Sequence, residues 1–183
     1  AASGGAYAYW AGTVNYPASA TDKSISITVG EATGSVSTQL VVSDPTSALK
    51  LVPSGQAANS TGGSSQNVEY KDYTYEVKWQ TVSGGSAKGA TAKLTMNPKN
   101  FEIGTTGEKA TLGTAYVKVQ YHNGTDWADI PSGGAKFDIV ADASSPVTVQ
   151  IRVTLLEPAD AATYAKVANQ AISIKVDFSV AVS

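Results

Sequence analysis

Residues 172–182 alternate strictly in polarity. Ile172, Ile174, Val176, Phe178, Val180 and Val182 fall on one side, with Ser173, Lys175, Asp177, Ser179 and Ala181 on the other. Side chains along a strand point to opposite faces in turn, so this run predicts a strand with one face in a core and one in water. The run before it repeats the pattern, with Val147, Val149, Ile151, Val153 and Leu155 inward and Thr148, Gln150, Arg152 and Thr154 outward. A third run sets Tyr73, Tyr75, Val77 and Trp79 against Thr74, Glu76, Lys78 and Gln80. Val68 and Tyr70 are out of phase with that set, which reads as a β-bulge near Lys71 and Asp72.

Shorter alternations fill the rest of the sequence: Ile25, Ile27 and Val29; Val36, Thr38, Leu40 and Val42; residues 93–96; and residues 137–140. Residues 115–130 read as a hairpin turning at Asn123-Gly124, a pair that tolerates the positive φ of a type I′ turn. One segment reads as helix, 158–169, with Pro158 near its start and Tyr164 and Val167 on one face. Residues 53–67 are nearly all small or polar and read as a surface loop, with a shorter loop over 83–89. Strands at short spacing joined by small-residue turns predict an all-β fold, a β-sandwich with one short helix. The pattern keeps the same style on both sides of each loop, so residues 11–183 read as one domain behind an extended segment, 1–10.

Composition narrows the function classes. Of 183 residues, 42% are hydrophobic, enough for a globular core. Only 15% are charged and the formal net charge is −2, so no basic stripe exists to neutralise phosphates and a nucleic-acid partner is not expected. No apolar run reaches the length of a membrane span. Cysteine is absent, which removes disulfides and thiolate metal sites. The opening Ala1-Ala2-Ser3-Gly4-Gly5 has the small residues left by signal-peptide cleavage, so export is expected. The sequons at Asn59 and Asn123 point the same way, as acceptors for N-glycosylation in turn-like sequence.

Catalytic patterns are sparse. The one histidine, His122, sits beside the Asn-Gly turn, whereas a triad needs its imidazole held in a cleft and a zinc site needs further nitrogen or sulfur ligands. There is no His-Glu-x-x-His helix, no Gly-x-Ser-x-Gly elbow and no phosphate-binding loop, so no cofactor or metal is expected. Asp126, Asp129, Asp138 and Asp142 read as turn carboxylates, although a facing pair would allow glycosidase chemistry. Trp10, Trp79 and Trp127 leave room for a sugar-stacking module; Trp79 falls in phase with core residues, and Trp127 fits either role. Lys78 and Lys175 lie on the polar phase of their strands, which argues against a buried isopeptide crosslink. The protein is not expected to be an enzyme.

The first ten residues combine small side chains at Ala2, Gly4, Ala6 and Ala8 with the large aromatics Tyr7, Tyr9 and Trp10. A free tail has no use for such aromatics, whereas an extended segment of this kind can lie in a tight groove between strands. If the groove belongs to the next copy, the contact does not close on itself and a filament results.

Two stretches carry a resemblance. Residues 6–13, Ala-Tyr-Ala-Tyr-Trp-Ala-Gly-Thr, and residues 164–180, a short helical turn ending in Asn169-Gln170 before the long alternating strand, resemble the TasA/camelysin group of biofilm fibre proteins and their archaeal bundling-pilus relatives. The resemblance implies a jelly-roll-like sandwich, export, and polymerisation with copies of itself by insertion of an N-terminal donor strand. The protease activity attributed to camelysin has no residues to support it here. The alternative reading is a monomeric secreted carbohydrate-binding or adhesin module. A hydrolase with two facing carboxylates is a further one.

Overall fold

The computed structural model describes residues 13–14, 24–28, 34–41, 50–51, 54, 67–81, 89, 91–104, 106–167 and 170–181. Its strands are β1 (Thr13–Val14), β2 (Ser24–Thr28), β3 (Gly34–Val41), β4 (Lys50–Leu51), β5 (Asn67–Val68) and β6 (Tyr70–Thr81). They continue as β7 (Thr91–Ile103), β8 (Val117–His122), β9 (Trp127–Asp129), β10 (Ala135–Val140), β11 (Val147–Leu155) and β12 (Ala171–Ala181). Two short helices interrupt them, α1 (Lys109–Tyr116) and α2 (Ala161–Val167). No helix among the described residues is long and apolar enough to cross a membrane.

The strands form an all-β sandwich. One sheet has the order β1-β12-β7-β10, with β2 also paired to β12; the other runs β3-β6-β11-β8-β9, and β4 and β5 make a small separate pair. Pairing is antiparallel within both large sheets except where β1 and β2 run parallel to β12. The alternating runs explain the layering. Tyr73, Tyr75, Val77 and Trp79 of β6 and Val149, Ile151, Val153 and Leu155 of β11 are buried from one side. Leu94 and Met96 of β7 and Ile172, Ile174, Val176, Phe178 and Val180 of β12 are buried from the other. The two layers meet ring to ring, edge-on, at Tyr75–Phe178 (5.1 Å) and Tyr121–Phe137 (6.0 Å).

Several expectations change. The bulge is not at Lys71–Asp72: Tyr70 to Val77 pair with Thr154 to Val147 without a slip. Tyr70 is out of phase with Tyr73 because it belongs to the solvent face, where it is 48% exposed. Val68 lies in a different strand, β5, beyond a bend at Glu69. The slip occurs instead where β7 meets β12, between the Ser173–Glu102 and Lys175–Lys99 pairs. Asn100 sits there with φ +54, a left-handed conformation that asparagine tolerates and an inserted residue needs. The insertion flips the buried phase of β7 from Met96 and Pro98 to Ile103.

Residues 93–96 are only the centre of β7, and a second helix, α1, lies where the sequence predicts no helix and takes in Ala115 and Tyr116, the start of the expected hairpin. Gly113 lets α1 approach: a Cβ there would stand 2.0 Å from the carbonyl oxygen of Phe101 in β7. The helix thus covers β7 beyond Met96, where β10 stops pairing. The helix read over 158–169 is α2, which starts after Pro158, with Asp160 accepting the Thr163 N–H at 2.7 Å as its cap; residues 168–169 lie outside the described residues. Trp10, Val182 and most of the loops at 53–67 and 83–89 lie outside the described residues.

Candidate functional site

The proposed donor-strand residues Ala2, Gly4, Ala6, Tyr7, Ala8, Tyr9 and Trp10 lie outside the described residues, as does Asn59. The structure describes the outer face of the β3-β6-β11-β8-β9 sheet, the sheet edges and the β8–β9 hairpin tip.

On that outer face the register lines up Asp72, Arg152, Gln120 and Asp129 across β6, β11, β8 and β9. Arg152 donates from Nε and Nη2 to the two carboxylate oxygens of Asp72 at 2.8 and 2.9 Å. Its guanidinium carbon lies 3.8 Å from the ring centre of Tyr70 and 4.2 Å from that of Trp127. The bidentate bond to Asp72, more than the nearby charges, raises the guanidinium's already high pKa, so the cation is permanent. Trp127 is therefore not core. It is half-buried on the solvent side, held against an arginine and, edge-on at 5.2 Å, against His122. Periodicity could not reveal this cluster, because it joins strands distant in sequence and depends on their register.

The hairpin turn differs from the expected type I′. His122 pairs with Trp127, and residues 123–126 connect them. Gly124 has φ +103, whereas Asn123 is not in the left-handed region. Asn123 acts through its side group: Oδ1 accepts the N–H groups of Thr125 and Asp126, each at 2.9 Å. His122 Nδ1 accepts the Gly124 N–H at 3.1 Å. Asn123 is exposed, as glycan attachment requires.

The carboxylates are dispersed. Asp129 lies 3.8 Å from Lys118, Asp138 pairs with Lys93, and both are largely exposed. Asp126 is exposed at the hairpin tip, and Asp142 (φ +54) donates its N–H to the Trp79 carbonyl. Lys78 is half-buried on β6. Among the described residues no three His, Asp or Glu side chains gather to hold a metal ion. A cleft beside Trp79, Ile139, Val140 and Val147 has a volume of about 10 Å³, room for roughly one water and far too little for a small-molecule ligand.

The edges differ in character. β3 ends the β3-β6-β11-β8-β9 sheet, is 8 residues long, and reads Gly34-Ser35-Val36-Ser37-Thr38-Gln39-Leu40-Val41, without charge or proline. β10 ends the other sheet and carries Lys136 and Asp138; β9 is 3 residues long and carries Asp129. Charged or short outer strands resist further pairing, whereas a long uncharged one invites it.

Compared with protein-family models, curated proteins and solved structures, the sequence shows no match.

Proposed function

We propose that the protein is a structural subunit of an extracellular filament, a bundling pilus or biofilm matrix fibre of the TasA/camelysin-like kind. In this reading it has no catalytic role and assembles when residues 1–10 of one copy add as a donor strand to the next. The observation that carries the reading is the edge of β3: among the described residues only β6 pairs with it. The N–H and C=O groups on its other side, which no described strand pairs with, are a template for strand addition. Fully extended, residues 1–10 reach about 33 Å, enough to run the length of such an edge. Alternating small side chains let a strand lie flat in a close groove. A head-to-tail contact of this kind propagates without closing.

Strand order supports the finer, jelly-roll-like description. From β6 to β12, every connection except the β8–β9 hairpin passes from one sheet to the other. The resemblance to the fibre proteins rests on residues 6–13 and 164–180, and export on that resemblance and the sequons at Asn59 and Asn123.

The second reading, a monomeric secreted carbohydrate-binding or adhesin module, is favoured by Tyr70 and Trp127 on one half-exposed sheet face. Against it, Arg152 lies on both rings and takes up surface that a sugar would need.

Deleting residues 1–9 is the deciding experiment. The truncated protein is expected to stay soluble and fail to polymerise, and a synthetic peptide of the missing residues is expected to raise its melting temperature by binding only the folded state. Gln39→Lys in β3, opposite Glu76 on the solvent phase, or a charge at Ala6 or Ala8, should block assembly while the subunit still folds. Normal filaments from the truncated protein, seen by electron microscopy, would sink the donor-strand reading and leave the binding module.

A further inference from the structure

At the tip of the β8–β9 hairpin three hydrogen bonds converge on one pair of residues. The N–H of Gly124 points at Nδ1 of His122 (3.1 Å), which as an acceptor carries no proton. The carboxamide oxygen of Asn123 accepts two backbone N–H groups, from Thr125 and Asp126 (2.9 Å each). A Cβ built on Gly124 would meet nothing within 4 Å, so the tip is open to water. We propose that this tip is a self-modifying site, at which Asn123 is converted through a succinimide into aspartate and isoaspartate, with His122 as the base.

The step balances without a cofactor or second protein. The Gly124 amide proton passes to His122 Nδ1 while the amide nitrogen attacks Cγ of Asn123. The electron pair of the carboxamide C=O moves onto Oδ1, and the negative charge formed there sits against the N–H groups of Thr125 and Asp126. Collapse re-forms the carbonyl and breaks the Cγ–Nδ2 bond; the departing nitrogen takes the proton back from the imidazolium and leaves as ammonia. Water then adds to either carbonyl of the ring. Opening at Cγ gives aspartate, and opening at the backbone carbonyl gives isoaspartate, so the net change is amide plus water to acid plus ammonia.

Each part has a physical reason. Nucleophile and electrophile are neighbours along the backbone, and the turn holds them together rather than leaving them to diffuse. A base within hydrogen-bond reach of the proton it removes is the geometric requirement for general base catalysis. Donors already aimed at the oxygen that becomes charged need no reorganisation during the reaction. The imidazole is positioned by the ladder, which pairs His122 with Trp127 and sets the rings edge to face at 5.2 Å. Glycine at 124 leaves the nitrogen unshielded by a side group. The product adds a negative charge beside Asp126, and in its iso form lengthens the backbone inside a tight turn. It also removes the amide that a glycan would use, so the tip carries one modification or the other. The inference is independent of the filament reading.

The test incubates the full-length protein at physiological temperature and neutral pH in heavy-oxygen water and maps peptides by mass spectrometry. A synthetic peptide of residues 118–130 is the unstructured control. The folded protein is expected to incorporate heavy oxygen at residue 123 several-fold faster than the peptide. His122→Phe keeps a ring beside Trp127 but no acceptor, and should slow the folded-state reaction at least about tenfold. A thermal melt of that variant verifies that the hairpin is intact, and Gly124→Ala in the full-length protein provides a second slow variant. Conversion no faster in the folded protein than in the peptide, or an unchanged rate in His122→Phe, overturns the proposal.

Discussion

Replacing Gly113 with alanine sets two effects of known sign against each other. In an exposed helix interior the change is favourable by about 1 kcal/mol, because glycine loses more backbone freedom than alanine on folding. Gly113 is buried, however, and the new Cβ would stand 2.0 Å from the Phe101 oxygen, 2.3 Å from the Phe101 carbon and 2.6 Å from the Glu102 nitrogen. Ordinary contact begins at 3.4 Å, so α1 must retreat by more than an ångström. The opposing atoms are backbone at the β7 bulge, anchored by the Glu102–Ser173 and Lys99–Lys175 pairs with β12, and cannot swing aside as a flexible side group would. Overpacking of this kind costs about 1–3 kcal/mol and more when the backbone resists. Retreat also uncovers Leu112, now 8% exposed, for about another 1 kcal/mol. The clash wins, and net destabilisation of about 2 kcal/mol is expected from urea unfolding midpoints at unchanged slope. Thr114→Ala, on the exposed side of the same helix, should instead gain a few tenths of a kcal/mol. A Gly113→Ala protein as stable as the parent would mean that α1 does not lie this close to β7.

Three further outcomes follow from separate features. Arg152→Lys loses the two-pronged bond to Asp72, and a double-mutant cycle with Asp72→Asn should give a coupling of about 1 kcal/mol, reduced because the Asp72 side chain is 38% exposed; zero coupling would mean that water has taken over the pair. Asn100→Gly should be tolerated, while Asn100→Val should cost about 1–2 kcal/mol, because a β-branched residue resists the left-handed conformation; equal unfolding midpoints for the two variants would contradict the bulge. Asp160 is held below the usual carboxylate range, chiefly by the Thr163 N–H, so its contribution is present above the unfolded pKa and lost as pH falls through the folded value. Asp160→Asn keeps the cap but not the charge, and melts taken from neutral to acid pH should show a shallower acid loss than the parent; an identical loss rules this contribution out.

The strands most legible in the sequence are those whose inner faces build the middle of the core. Ile172 to Phe178 and Val149 to Leu155 alternate without interruption because each second residue meets the opposite sheet. β7 was legible only in part, since Pro98 and the left-handed Asn100 break its pattern, and the bulge at Asn100 reverses which residues face inward. Tyr70 suggested a bulge because its size argued for burial; its ring is instead covered by an arginine on the solvent side. α1 was invisible because Lys-Ala-Thr-Leu-Gly-Thr-Ala-Tyr has little apolar periodicity. Its place against β7 comes from the missing side chain of Gly113, and local pattern does not report what a residue lacks. The Tyr70–Arg152–Trp127 stack needed strand register, and the base-to-amide contact at His122 needed the real turn in place of the expected one.

The parallel pairing of β2 with β12 places Ser24 beside Asp177 and Thr28 beside Ala181. A ribosome releases the first of these strands long before the second exists. The sheet organised around β12 therefore cannot close before β12 has emerged, and β7, its antiparallel neighbour, must also wait for that strand. Closing so large a loop is entropically slow and is rewarded only at the end. The nascent polypeptide consequently stays open until β12 has been synthesised. That delay leaves the unfinished product dependent on protection from aggregation in the meantime.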